Sequence, residues 1–101
     1  MSDNQYKAVL TGATGGIGRE IAKKLAPQCS SLILLGRDID KLSALKQELN
    51  SCKANIQIIA GDICSPDISQ QVIALSQSIG GINLLINNAG IQHVAKLEDF
   101  P

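Results

Sequence analysis

Residues 7–18 have the sequence KAVLTGATGGIG, a short apolar run that passes directly into a glycine-rich segment. The apolar run does not alternate with polar residues, which is typical of a strand whose two faces are both covered. Ile17, Ile21 and Leu25 follow at spacings of four and predict an amphipathic helix, which Pro27 ends. A strand, a glycine-rich turn and a helix in this order predict the first unit of an α/β domain.

The same alternation of short apolar runs and amphipathic stretches continues along the chain. Further strands are predicted at residues 32–35, 56–60 and 84–87. Helices are predicted at 42–49 and at 65–79, the second with an N-cap serine followed by proline at its first position. We therefore expect an α/β fold with a doubly wound parallel sheet, in the order β-α-β-α-β-α-β. With four strands and three helices this sheet is incomplete.

Composition narrows the classes of function. The 101 residues suffice for one domain at most, and nine basic and nine acidic residues give a formal net charge of zero. With one Tyr, one Phe and no Trp, the chain is poorly suited to bind nucleic acid or a charged membrane surface. No apolar run approaches a membrane span and no signal peptide is recognisable, so we expect a cytoplasmic protein with no membrane partner. Cys29, Cys52 and Cys64 match no metal or redox spacing, and we expect reduced thiols and no metal site.

The glycine-rich turn is the first candidate site. Glycines there allow a tight turn and a close approach of the backbone to a ligand, and the N-terminus of the following helix offers free N–H groups to a pyrophosphate. Gly16 and Gly18 are the expected positions for helix packing and phosphate approach. The alternative is a tight turn with no ligand. The cofactor-binding residues predicted in the turn are Gly12, Thr14, Gly15, Gly16, Ile17 and Gly18.

The turn resembles the T-G-x-x-x-G-x-G pattern of the short-chain dehydrogenase/reductase family. Because Gly15 and Gly16 are adjacent, it also fits T-G-x-x-G-x-x-G, which resembles the extended branch of epimerases and dehydratases. Residues 87–90, Asn-Asn-Ala-Gly, resemble the motif of the compact, reductase-like branch and favour that branch. The resemblance implies that this segment steadies the central sheet, and that Asn88, Ala89 and Gly90 border the cofactor's ribose.

The resemblance also assigns the residues after the second and third strands. It implies that the carboxylate of Asp62 accepts a hydrogen bond from the adenine amino group and that the backbone of Ile63 meets the ring. Ser65 is better placed than Asp62 to cap the next helix, which leaves Asp62 available. Gly36 stands where an NAD-binding acid would be expected, and Arg37 follows it. We therefore predict NADP rather than NAD, with Asp38 as a possible counterweight to Arg37.

The resemblance implies hydride transfer between the nicotinamide and a small-molecule carbonyl or alcohol, with a Ser and a Tyr-x-x-x-Lys motif as the catalytic groups. Tyr6 is followed four residues later by Leu10, so we predict no catalytic residue in this chain. His93 is interpreted as a surface loop residue. We expect residues 1–101 to be the N-terminal part of a single NAD(P)-binding domain, truncated after the fourth strand and inactive alone. The parent is expected to be a homo-oligomer, and the alternatives are an inactive nucleotide-binding module and an extended-branch epimerase or dehydratase.

Overall fold

The computed structural model describes residues 6–62 and 65–88, and within them strands and helices alternate as predicted. A short 3₁₀ turn at Ala26–Gln28 follows the first helix. The predicted α/β fold class is confirmed, and the fourth strand has the predicted bounds. The described elements are β1 (Tyr6–Thr11), α1 (Gly16–Leu25), β2 (Cys29–Gly36), α2 (Ile39–Glu48), β3 (Asn55–Ala60), α3 (Pro66–Ser78) and β4 (Leu84–Asn87).

The four described strands form one parallel sheet in the order β3-β2-β1-β4. The register pairs Leu10 with Leu34 of β2 and with Ile86 of β4. The chain runs from β1 to β3 in one direction and then crosses to the far side of β1 for β4. The strand order thus reverses between β1 and β4, and in open α/β sheets ligands bind beyond the carboxyl ends of the strands at this point.

The sheet is covered on both faces, which explains the unbroken apolar runs of its central strands. One face packs under α1 and α2, where Leu10 and Leu34 meet Ala22 and Leu42. On the other face, alternate strand residues such as Ile33 pack against α3. Within residues 6–62 and 65–88, no helix combines the length and the apolar character that crossing a membrane requires.

The helices differ from the sequence expectations in three respects, the first being that α2 begins at Ile39 rather than at the predicted residue 42. The helix α1 ends at Leu25, and Pro27 lies in the 3₁₀ turn that follows. Ile17 was expected on the apolar face of this helix, but 60% of it is exposed. Gly18 is buried there instead, because the first turn of the helix packs closely against the glycine-rich turn. Ser65 occupies the predicted N-cap position of α3, although its side chain makes no capping hydrogen bond.

Candidate functional site

A cleft of about 230 Å³ opens at the carboxyl ends of β1, β2 and β3. It gathers residues that are distant in sequence because the carboxyl ends of parallel strands lie at the same edge of the sheet. Four of its lining residues were predicted as site residues: Gly12, Thr14, Arg37 and Asp62. The other four, Thr11, Leu35, Gly36 and Gly61, were not. The lining residues are Thr11, Gly12, Thr14, Leu35, Gly36, Arg37, Gly61 and Asp62.

The glycine-rich turn is held in place from both neighbouring strands. Gly12 has a positive φ of 65°, which favours glycine. The backbone N–H of Ala13 donates to the carbonyl of Leu35 at 2.9 Å, and the side-chain amide of Asn88 donates to the carbonyl of Gly12 at 3.1 Å. The turn is therefore fixed against β2 on one side and against the end of β4 on the other.

Two glycines of the first turn of α1 are in different environments. A Cβ atom at Gly18 would lie 2.0 Å from the carbonyl oxygen of Gly12, so the helix approaches the turn too closely for any side chain. A Cβ atom at Gly16 would have nothing within 4 Å. The first turn of α1 contains no acidic residue, and the N–H groups of a helix's first turn have no partner within the helix. The first turn of α1 therefore carries the positive end of the helix dipole with no acidic side chain of its own to offset it.

The end of β2 has a cation and little space for a side chain at Gly36. A Cβ atom at Gly36 would lie 3.0 Å from Cγ2 of Thr14 and 3.3 Å from Cδ2 of Leu42. Arg37 follows at the rim of the cleft, with its side chain 83% exposed. The next residue, Asp38, caps α2, and its Oδ1 accepts hydrogen bonds from the backbone N–H of Asp40 at 3.0 Å and of Lys41 at 3.2 Å. The carboxylate of Asp38 is therefore engaged at the start of the helix.

Arg37 and Asp62 face each other at the mouth of the cleft. Nη2 of Arg37 lies 3.8 Å from Oδ2 of Asp62, and both side chains are more than half exposed. An exposed pair at this distance is weak and exchanges readily for contacts with a ligand. The sequence indicated a separate role for each residue and did not predict the pair. The backbone carbonyl of Asp62 also accepts from the N–H of Ser65 at 2.9 Å, so Asp62 is already held near the start of α3.

The end of β4 is joined to β1 by side chains. The hydroxyl of Thr11 donates to Oδ1 of Asn87 at 2.9 Å, one residue before the contact of Asn88 with Gly12. These contacts bridge the two strands between which the strand order reverses. Neither Thr11 nor Asn87 was predicted as a site residue, although both end strands of the sheet. The predicted site residues Ile63, Ala89 and Gly90, like His93 and Cys64, lie outside the described residues.

Comparison with known proteins identifies the family. Residues 6–101 match the family model of short chain dehydrogenases. The chain is 39% identical over 101 residues to D-β-hydroxybutyrate dehydrogenase of Cupriavidus necator. This match covers 97% of the chain and 38% of that protein. It is 40% identical over 89 residues to the very-long-chain 3-oxoacyl-CoA reductase of Kluyveromyces lactis, covering 85% of this chain and 25% of that protein.

A solved structure shows the same likeness. L-sorbose reductase from Gluconobacter frateurii, determined as a complex with NADPH and L-sorbose, superposes with a TM-score of 0.77 at 30% sequence identity. The match covers 89% of this chain and 35% of that one. The chain therefore belongs to the short-chain dehydrogenase/reductase family of NAD(P)-binding oxidoreductases, as the sequence predicted, and it spans less than two fifths of the length of these relatives.

Proposed function

We propose that the protein is an NADP-preferring oxidoreductase that transfers a hydride between the nicotinamide and a carbonyl or alcohol of a small molecule. In such a reaction the bound cofactor supplies or accepts the hydride. The described residues would hold the cofactor. The observation that carries the proposal is that one cleft brings Gly12 and Thr14 of the glycine-rich turn together with Arg37, and that α1 begins directly after this turn. The dehydrogenases and reductases among the relatives favour this function over that of an epimerase or dehydratase.

The glycine-rich turn fits a pyrophosphate. Its backbone lies close to the start of α1, where unpaired N–H groups and the positive end of the helix dipole attract an anion. Gly16 leaves open space at this end of the helix, which permits a close approach of the phosphates. The residues that we propose for this contact are Gly12, Thr14, Gly15, Gly16, Ile17 and Gly18.

The far side of the cleft fits the adenosine portion. At about 230 Å³ the cleft is smaller than the roughly 300–1,000 Å³ usual for a whole ligand, so it suits one part of a dinucleotide. The exposed carboxylate of Asp62 is a suitable acceptor for the adenine amino group. We propose that Ile63 borders the ring and that Asn88, Ala89 and Gly90 border the cofactor's ribose.

The preference for NADP follows from the end of β2. An acid at Gly36, which would bond the ribose 2′-hydroxyl of NAD, would press on the side chains of Thr14 and Leu42, and Asp38 is engaged in capping α2. The guanidinium of Arg37 is free to reach a 2′-phosphate once it leaves Asp62, and its planar fork suits phosphate oxygens. The NADPH bound in the related L-sorbose reductase supports the same choice.

The acid/base group of the reaction is expected outside the described residues. Tyr6, the one tyrosine of the chain, lies at the start of β1, and the cleft lies at the other end of that strand. Hydride transfer to a carbonyl needs a proton donor within hydrogen-bonding reach of the carbonyl oxygen, a requirement that Tyr6 does not meet. The described part of the chain is therefore assigned to cofactor binding alone.

The cofactor preference is tested by measuring the dissociation constants of NADPH and NADH for the protein as its gene encodes it, in wild type and in Arg37→Asp. A charge-assisted contact is worth about 1.5–3 kcal/mol, so the ratio of the two constants should shift towards NADH by roughly tenfold or more. Lys46→Asp is the matched control, because it makes the same charge change in the last turn of α2. An unchanged ratio in Arg37→Asp would refute the phosphate role.

A further inference from the structure

A second groove of about 340 Å³ lies beside the cleft, on the side of α1 and α2. The two share Thr14, whose side chain packs against the position of Gly36 at the end of β2. The groove and the cleft therefore adjoin each other at Thr14, beside the end of β2. The residues that line the groove are Thr14, Gly16, Arg19, Lys41, Ala44 and Glu48.

One of the two cations in the groove is already neutralised. Nη2 of Arg19 donates to both carboxylate oxygens of Glu48, at 3.0 Å and 2.8 Å. Lys23 adds a further contact of 3.5 Å to the same carboxylate. The contact with both oxygens holds the guanidinium of Arg19 between α1 and α2. Its charge is balanced locally, so Arg19 contributes little to binding a further anion.

The other cation, Lys41, is not balanced in this way. Within residues 6–62 and 65–88, no carboxylate forms an ion pair with its ammonium group. The neighbouring Asp38 uses Oδ1 to accept from the backbone N–H groups at the start of α2. Asp40 precedes Lys41 directly, and adjacent residues of a helix do not face each other. Lys41 thus presents a positive charge to a groove that adjoins the expected position of the 2′-phosphate.

A 2′-phosphate needs more than Arg37 offers. It carries close to two negative charges and three terminal oxygens, whereas one guanidinium grips two oxygens and carries one charge. Part of the field of Arg37 is offset by Asp62 at 3.8 Å. The glycine-rich turn has no side chain at Gly15 that could add a second cation.

We propose that Lys41 is that second cation and a specificity-determining residue: it contacts the 2′-phosphate from the groove while Arg37 contacts it from the cleft. The inference rests on the proposed preference for NADP. Lysine suits the role because its compact ammonium group acts as a point charge with three donors on a flexible stem. The pair Arg37 and Lys41 then brackets the phosphate across the first turn of α2.

The test uses two small probes that differ by the phosphate in question, adenosine 2′,5′-bisphosphate and 5′-AMP. Their dissociation constants are measured by calorimetry on the protein as its gene encodes it. In Lys41→Ala, affinity for the bisphosphate should fall by up to about fivefold while affinity for 5′-AMP stays unchanged. Lys41→Arg should retain most of the affinity, and Lys46→Ala, which removes the same charge at the other end of α2, should bind both probes as the wild type does.

The possible outcomes distinguish the role of Lys41 from the NADP preference on which it rests. A wild type that binds both probes equally would overturn the NADP preference, and the role of Lys41 with it. A wild type that prefers the bisphosphate, with the preference lost in Arg37→Ala but kept in Lys41→Ala, would overturn the role of Lys41 alone. Equal loss of both probes in Lys41→Ala would show a structural effect and would also overturn it.

Discussion

Gly18→Ala tests the close packing that shapes the candidate site. The added Cβ atom would lie 2.0 Å from the carbonyl oxygen of Gly12 and 2.9 Å from Cα of Ala13. Both contacts are with backbone atoms, which cannot move aside as the end of a flexible side chain can. The start of α1 or the glycine-rich turn must therefore shift, and with it the hydrogen bond from Ala13 to Leu35.

The magnitude follows from two opposing terms. Forcing an extra methyl group into a packed site costs about 1–3 kcal/mol, and the backbone contacts place this case at the upper end. Alanine gains about 1 kcal/mol over glycine from its higher helix propensity. The net expectation is a loss of about 2 kcal/mol in the free energy of unfolding.

Urea denaturation of the protein as its gene encodes it, followed by far-ultraviolet circular dichroism, measures this loss. Gly16→Ala is the matched control, because it lies in the same turn of the helix and its Cβ atom would meet nothing within 4 Å. We expect no destabilisation in the control. If Gly18→Ala unfolds at the same urea concentration as the wild type or at a higher one, the close approach of helix and turn is not present in the protein.

Three further residues, Asp38, Cys29 and Glu48, give testable outcomes. Asp38→Ala should lower the free energy of unfolding by about 1 kcal/mol, measured by the same urea titration, because α2 loses its N-cap; no change would contradict the cap. Burial raises the pKa of the Cys29 thiol from 9.0 to about 11, so peptide mapping after alkylation should find Cys52 modified before Cys29. Cys29 contributes stability that is fully present below pH 9.0 and is lost as the pH rises through about 11, and Cys29→Ala should remove this loss. The hydrogen bonds from Arg19 hold the pKa of Glu48 below its ordinary value. The ionised carboxylate of Glu48 therefore stabilises the fold at neutral pH, and this stabilisation is lost as the pH falls through the lowered pKa. Urea titrations at falling pH should show this loss in the wild type and not in Glu48→Gln.

The fold could be predicted because several independent signals agreed. Runs such as 84–87 are apolar and do not alternate, which indicates a strand covered on both faces, and the structure gives β4 these bounds. The cap at Asp38 could also have been found from the sequence, since an aspartate directly before a helical pattern is a common start signal. The sequence analysis considered Asp38 only as a counterweight to Arg37, whereas in the structure its Oδ1 caps α2.

The contacts inside the site could not be predicted from local sequence. Arg37 meets Asp62 because β2 and β3 are neighbours whose ends align, with Gly36 beside Ala60. That alignment depends on strand order and register, which no local pattern specifies. The exposure of Ile17 was missed for a similar reason: the spacing of apolar residues gives the face of a helix but not how far its first turn extends past the sheet.

The two glycines at the start of α1 separate the demands of folding from those of binding. Gly18 has to be glycine for the fold, because any side chain would collide with the backbone of Gly12. Gly16 has no such reason: its φ is not positive, its Cβ atom would meet nothing, and alanine would favour the helix. This glycine lowers helix stability without a packing reason among the described residues. We infer that Gly16 keeps the N-terminus of α1 open to the phosphates, so Gly16→Ala should weaken NADPH binding without weakening the fold.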